Sequence, residues 1–303
     1  MYFLIKRLLR IWRGRQAQNT APAIATRSSR PASWSDGGTS PAARGILALL
    51  AHQIRFDVLT SVRNPRARFF TFFFPILFLV VFNGVFGSGH TIVAGHRVKL
   101  SIFYVPGILA MSIIVATYAN MVISLTAARE SGILKRRRAT PVPAALLIAG
   151  QAAAAVVITA MTSTIVLVVA KVLYGVGIAV PSIAAMACIV LVGTLAFACI
   201  AYAVSGLIGS SEAAQPIVQI TMLPLWFISG VFIPDRNLSP TLKHIASLFP
   251  VEHVANSLHL ASVNSSFGAA ISATDVLALA AWGIGAAAFA AWRFSWLPST
   301  ATA

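Results

Sequence analysis

The residues of this chain whose types could do chemistry are few and scattered. Seven Asp and Glu and six His stand among 303 residues. General acid and base work needs such groups brought together, and nucleophilic catalysis needs a nucleophile beside its base. The acidic residues occur singly along the sequence, so spacing reveals no paired carboxylate. The nearest grouping is His244, Glu252, His253 and His259. Its spacing matches no structural zinc pattern, and ordinary interfacial polar residues with no metal are the expectation. No lysine follows a glycine, so a phosphate loop of the form GxxxxGKS or GxxxxGKT cannot occur, and any ATP hydrolysis belongs to another polypeptide. Cys188 and Cys199 are the only cysteines. On one helix they stand roughly 16 Å apart, beyond disulfide reach, and read as packing residues.

One segment does concentrate charge: Arg129, Glu130, Ser131, Gly132, Ile133, Leu134, Lys135, Arg136, Arg137, Arg138, Ala139, Thr140, Pro141, Val142, Pro143. A short charged helix is expected from Glu130 to about Arg138, closed by Thr140 and the two prolines, because proline disfavours helix in the residue before it. On charge alone, the run reads first as an anchor that fixes topology.

The elements that must position these residues are set by apolarity. Hydrophobic residues make up 58% of the chain, charged residues 10%, and mean hydropathy is +0.83, which excludes an ordinary soluble protein and makes lipid the solvent. A hydrocarbon core about 30 Å thick takes roughly 20 apolar residues as a helix. Six stretches qualify: Phe69 to Phe86, Ile102 to Ala127, Ala144 to Ala170, Ser182 to Gly209, Pro216 to Ile233 and Ala273 to Trp292. None alternates with period two, so barrel strands are not expected. The fold class is therefore an all-α integral membrane protein with six transmembrane helices. Pro75, Pro216 and Pro224 read as fixed kinks or hinges, and Trp226, Trp282, Trp292 and Trp296 as candidates for interfacial anchors.

Lys and Arg number 12 before the first span, then 2, 5, 1, 0 and 2 in successive loops and 1 after the last. Alternate compartments thus hold 18 against 5. Cytoplasmic loops carry the basic excess, so both termini and the loop after the second span are expected in the cytoplasm. The net charge of +16 is then a topology signal and not a nucleic-acid footprint.

Before the spans, residues 1–43 divide into a basic amphipathic leader over Met1 to Arg15 and a linker rich in Ala, Pro, Ser, Thr and Gly. The leader suits anionic lipid, though a disordered leader or a start placed too far upstream reads equally well; the linker lacks the apolar residues to fold. Residues 44–68 regain a helical stripe in Ile46, Leu47, Leu50, Ile54, Val58 and Leu59, as expected of a helix along the cytoplasmic membrane surface. The six-span domain would cover 69–295, with a cytoplasmic tail at 296–303.

The charged segment resembles the permeases of type-2 ABC exporters, in the drug- and lipid-export branch that includes daunorubicin-resistance permeases. That family carries a pattern near E-R-E-x-G-T-L-K-R-L-R-A-T-P-x-P after its second span. Arg129, Glu130, Gly132, Leu134, Lys135, Arg136, Arg138, Ala139, Thr140, Pro141 and Pro143 match it; Ala128, Ile133 and Arg137 depart from it. Further matches lie in Asn64-Pro65-Arg66 and in Tyr104-Val105-Pro106-Gly107. A third set is Ser229-Gly230-Val231-Phe232-Ile233-Pro234, followed by Leu238, Pro240 and Pro250.

The resemblance implies a non-enzymatic permease subunit in the plasma membrane of a bacterium, exporting a hydrophobic drug, lipid or lipid-linked substrate. ATP and Mg would be bound by a separate P-loop ATPase subunit, and a second permease copy or a related permease would complete the path. Residues 129–141 would form the coupling helix that docks the ATPase. Ser229, Gly230, Phe232, Pro234, Leu238 and Pro250 would belong to an extracellular segment folded back into the membrane. A non-pumping channel or scaffold, and a secondary transporter, are the alternatives. The second is disfavoured because no span carries an ionisable group in its middle, Lys171, Glu212, Asp275 and Arg293 lying at span ends.

Overall fold

The computed structural model describes residues 41–133, 144–177, 179–234, 237–264 and 266–293, and a compact unit begins at Ala42. Helix α1 runs Pro41–Arg63. It stops at Asn64, whose Oδ1 accepts from the N–H of Arg66 at 3.1 Å and of Ala67 at 3.3 Å, and at Pro65, which opens α2 (Pro65–Phe86). An Asn cap followed by proline at the first helical position separates the two helices without a loop.

Helix α2 is wound as a π-helix over Phe69–Phe73 and returns to α geometry at Phe74–Phe86. Pro75 has no N–H to give the carbonyl four residues back, and the wider turn before it absorbs the missing bond. A hairpin follows, β1 (His90–Val93) against β2 (His96–Lys99), with Thr91 opposite Val98. Ala94 at φ 47 and Gly95 at φ 81 make its turn, and Thr91 and Val93 point inward. The all-α expectation missed this hairpin, because alanine replaces the asparagine or aspartate that usually marks a turn with two positive φ values.

Helix α3 covers Leu100–Glu130, with a second π-helical turn at Val115–Ala119. It is buried along most of its length, whereas α2 and α9 turn most of their surface outward. The remaining helices are α4 (Ala144–Tyr174), α5 (Val180–Ser205), α6 (Ser211–Ile228), α7 (Pro240–Ala246), α8 (Pro250–Val263) and α9 (Ala273–Arg293). Helix α9 lies close along α5, where a Cβ on Gly283 would stand 3.3 Å from Ala196 Cα. Such small-residue contacts let membrane helices approach closely. Helix α8 enters the bundle between α3 and α5: a Cβ on Gly193 would meet Val254 Cγ2 at 3.2 Å and Ile113 Cγ2 at 3.7 Å.

Among the described residues, five helices are long and apolar enough to cross a membrane: α2, α3, α4, α5 and α9. The stretch expected as the fifth of six spans, Pro216 to Ile233, falls on α6, which begins at Ser211 and ends at Ile228. Its 18 residues give about 27 Å at the α-helical rise, but Glu212, Gln215 and Gln219 make its first half polar. It stops before Gly230, whose φ of 70 turns the chain.

Candidate functional site

Arg129 and Glu130 form the last turn of α3, so Glu130 ends a long helix and does not begin a new one. Ser131 follows as its cap, and Gly132 takes φ 71 to turn the chain. Leu134, Lys135, Arg136, Arg138, Thr140 and Pro141 lie outside the described residues, as does most of the expected charged helix.

Arg129, which the resemblance places in the coupling helix, is buried, with 6% of its surface exposed. Its guanidinium donates to the carbonyl of Ser205 at 3.0 Å and to that of Ile208. Carbonyls at a helix C-terminus lack intrahelical partners and carry partial negative charge, so a cation satisfies them twice over. The Glu130 carboxylate, exposed, accepts the backbone N–H of Ser211 at 2.8 Å, at the N-terminus of α6, where an anion is favoured. One dipeptide therefore joins the end of α5 and the start of α6 to the end of α3, with charges matched to both helix dipoles.

Above this tie, a cavity of about 870 Å³ opens between α1, α2, α3, α4 and α6. Its walls are pinned by side-chain bonds. Asn120 Nδ2 donates to Thr71 Oγ1 at 2.7 Å, Tyr118 and Thr221 share a hydroxyl bond of 3.1 Å, and Tyr202 donates to Gln151 Oε1. Both π-helical turns border it, since Phe70, Val115, Ala116 and Ala119 line it.

The second candidate segment is compact. Ser229, Gly230, Phe232, Pro234 and Pro250 are buried and Leu238 is half-buried. Val231 presses its carbonyl against Gly107, whose Cβ, if present, would lie 2.1 Å from that oxygen. Phe232 stacks on Phe82 at 4.8 Å between ring centres and also packs on Phe78 and Trp226. Trp226 is thus 6% exposed and serves as a packing residue; of the four candidate interfacial anchors, it is one that the fold turns inward. His259 donates Nε2–H to the Gly230 carbonyl at 3.0 Å and stacks on Phe103 at 4.4 Å. Burial holds its imidazole down to about 4, against an ordinary 6.5.

Sequence spacing missed one constellation. Asp275, expected to be solvated at a span end, is 5% exposed. Its carboxylate accepts from His253 Nδ1 at 2.8 Å and from Asn256 Nδ2 at 2.7 Å. His253 also reaches the Ser247 carbonyl at 3.1 Å, and Glu252 lies 3.5 Å from its ring. Glu252, His253 and Asp275 are a group whose ligand atoms lie within 4.8 Å of one another. Neither His244 nor His259 joins it, because α8 turns His259 toward Gly230. The signal was an amphipathic helical spacing, His253 and Asn256 three residues apart, with a partner that only the fold brings near.

The family model for the ABC-2 type transporter matches residues 49–261, more than half of the chain. The chain belongs to the ABC-2 type transporter family. No curated protein matched it. A membrane domain of this family is the permease component of an ABC transporter, so the multi-pass helical bundle of this ABC-2 permease has a transport assembly as its setting. The matched residues of the ABC-2 permease run from α1 through most of α8, and so include the Arg129–Glu130 tie, the cavity and the turn at 229–234.

Proposed function

We propose that this permease is the membrane subunit of an exporter driven by a separate P-loop ATPase, which binds ATP and Mg and docks on the loop between α3 and α4. In this reading α6 is a sixth crossing, both termini and that loop lie in the cytoplasm, and a second permease copy completes the path in the plasma membrane of a bacterium. The cargo is a hydrophobic drug, a lipid or a lipid-linked molecule moved outward.

The observation that carries this reading is the tie made by Arg129 and Glu130. A push on residues 131–143 reaches α3 first, and the two side chains pass it to the α5–α6 junction, so three helices move as one body. Rigid-body motion of packed helices between two arrangements is the ordinary form of such switching. The cavity beside the tie would change shape with it.

Glu130→Gln separates coupling from assembly, because the side chain is exposed and its removal leaves no buried charge. With the ATPase subunit co-expressed, the complex is expected to assemble at the normal ratio while export per ATP hydrolysed falls several-fold. Unchanged export would count against the relay.

A further inference from the structure

The cavity between α1, α2, α3, α4 and α6 holds about 870 Å³, within the ~300–1,000 Å³ typical of small-molecule sites. It extends along α3 from Ser131 to Val115, roughly 24 Å at the helical rise. Its lining changes character over that length. Toward α1 it is walled by Thr60, Ser61, Asn64, Ser131, Gln215 and Gln219; at the far end by Phe70, Phe74, Val115, Met222, Leu223 and Trp226.

Gln215 and Gln219 stand one turn apart on α6 and share a face. Among the described residues neither side chain has a hydrogen-bond partner, Gln215 being half-buried and Gln219 exposed. A carboxamide both donates and accepts, which suits hydroxyl and amide groups better than an ion of either sign. Among the described residues, the ionic ones in the lining are Asp57 and Arg66, which balance in formal charge. Two π-helical turns border it, a feature frequent at functional sites.

We infer that this cavity binds an uncharged amphiphile, with a hydroxyl- or amide-bearing head beside Gln215 and Gln219 and an apolar body directed toward Trp226. This names the cargo class of the export reading and rests on that reading for its role as cargo; binding itself requires no transport.

Photolabelling of the purified permease, with its ATPase subunit, in lipid nanodiscs tests it. The probes are dodecyl glucosides carrying a diazirine either at the chain end or beside the glycosidic oxygen. The chain-end probe is expected to label residues 222–226 and 70–74, and the head probe residues 215–219. A dodecyl sulfate with the same chain-end diazirine should label about tenfold less, and the double variant Gln215→Leu/Gln219→Leu should lower glucoside labelling about tenfold at an unchanged unfolding midpoint, a loss of two neutral hydrogen bonds. Equal labelling by the sulfate, insensitivity to the double variant, or labelling confined to outward residues of α9 such as Ile284 and Trp292 would overturn the inference. Stimulation of ATP hydrolysis by dodecyl glucoside is read in parallel. Cavity labelling without stimulation overturns its role as cargo and leaves the site standing, whereas stimulation without cavity labelling overturns the site.

Discussion

Arg129 shows how one side chain can be read in two ways. In the sequence it is one more basic residue beside a membrane span, indistinguishable by type from the Lys135 to Arg138 run. In the fold it is inside the bundle, its guanidinium shared between two carbonyls at the end of α5. Replacing it with methionine keeps the apolar stem and leaves both carbonyls unpaired, which should cost about 2 kcal/mol or more, read as a lower unfolding midpoint in detergent. Lysine, with its single ammonium centre, should recover only part of that loss. His259 makes a different prediction. Its neutral ring is held at about 4, and an unfolded chain takes a proton near 6.5. Stability from its burial is therefore complete above pH 6.5 and declines as pH falls from 6.5 toward 4. Unfolding midpoints at pH 7.5 and pH 5 should differ less in His259→Gln than in the parent chain; an identical pH dependence would contradict the assignment.

At the scale of elements, the apolar runs were legible because a membrane helix is announced by continuous hydrophobicity alone. Helices α2, α3 and α4 extend their predicted runs by four or five residues and α9 by one, whereas α5 starts two residues earlier and stops four earlier, at Ser205. Helix α6 was harder, since its polar first half and Pro216 hid the true start at Ser211, whose N–H is held by a residue 81 positions earlier. The π-helical turns left no trace in periodicity, and the His253–Asp275 contact joins residues 22 apart in sequence. Those features depend on which helices become neighbours, and residue spacing carries no record of that. The segment at 229–234 was recognised by motif, but its reason became visible only with Gly107 against the Val231 carbonyl. Gly107→Ala would drive a Cβ into backbone that cannot rotate away. A cost of about 1–3 kcal/mol is expected for such overpacking, together with loosened proteolytic protection at 229–234. Wild-type protection in the alanine variant would show that the contact is slack.

For the whole molecule, the bundle ties its candidate machinery to one end. The end of α3, the α5–α6 junction, the start of α4 and helix α1 meet there, and the polar half of the cavity opens among them. The segment at 229–234 and the β-hairpin occupy the opposite end, beside the start of α3. Such a layout separates a place where force could enter from a place where cargo could leave. In the proposed reading the first end lies in the cytoplasm, as the uneven distribution of basic residues would require under the positive-inside rule.

That assignment underlies everything else, and one measurement reaches it directly. In a chain with Cys188 and Cys199 replaced by serine, Lys135→Cys can be exposed to a membrane-impermeant maleimide in intact cells and in inverted vesicles. The account predicts labelling in inverted vesicles and none in intact cells. Labelling of residue 135 from outside intact cells would place the loop where no nucleotide-driven partner could act on it and would contradict the account.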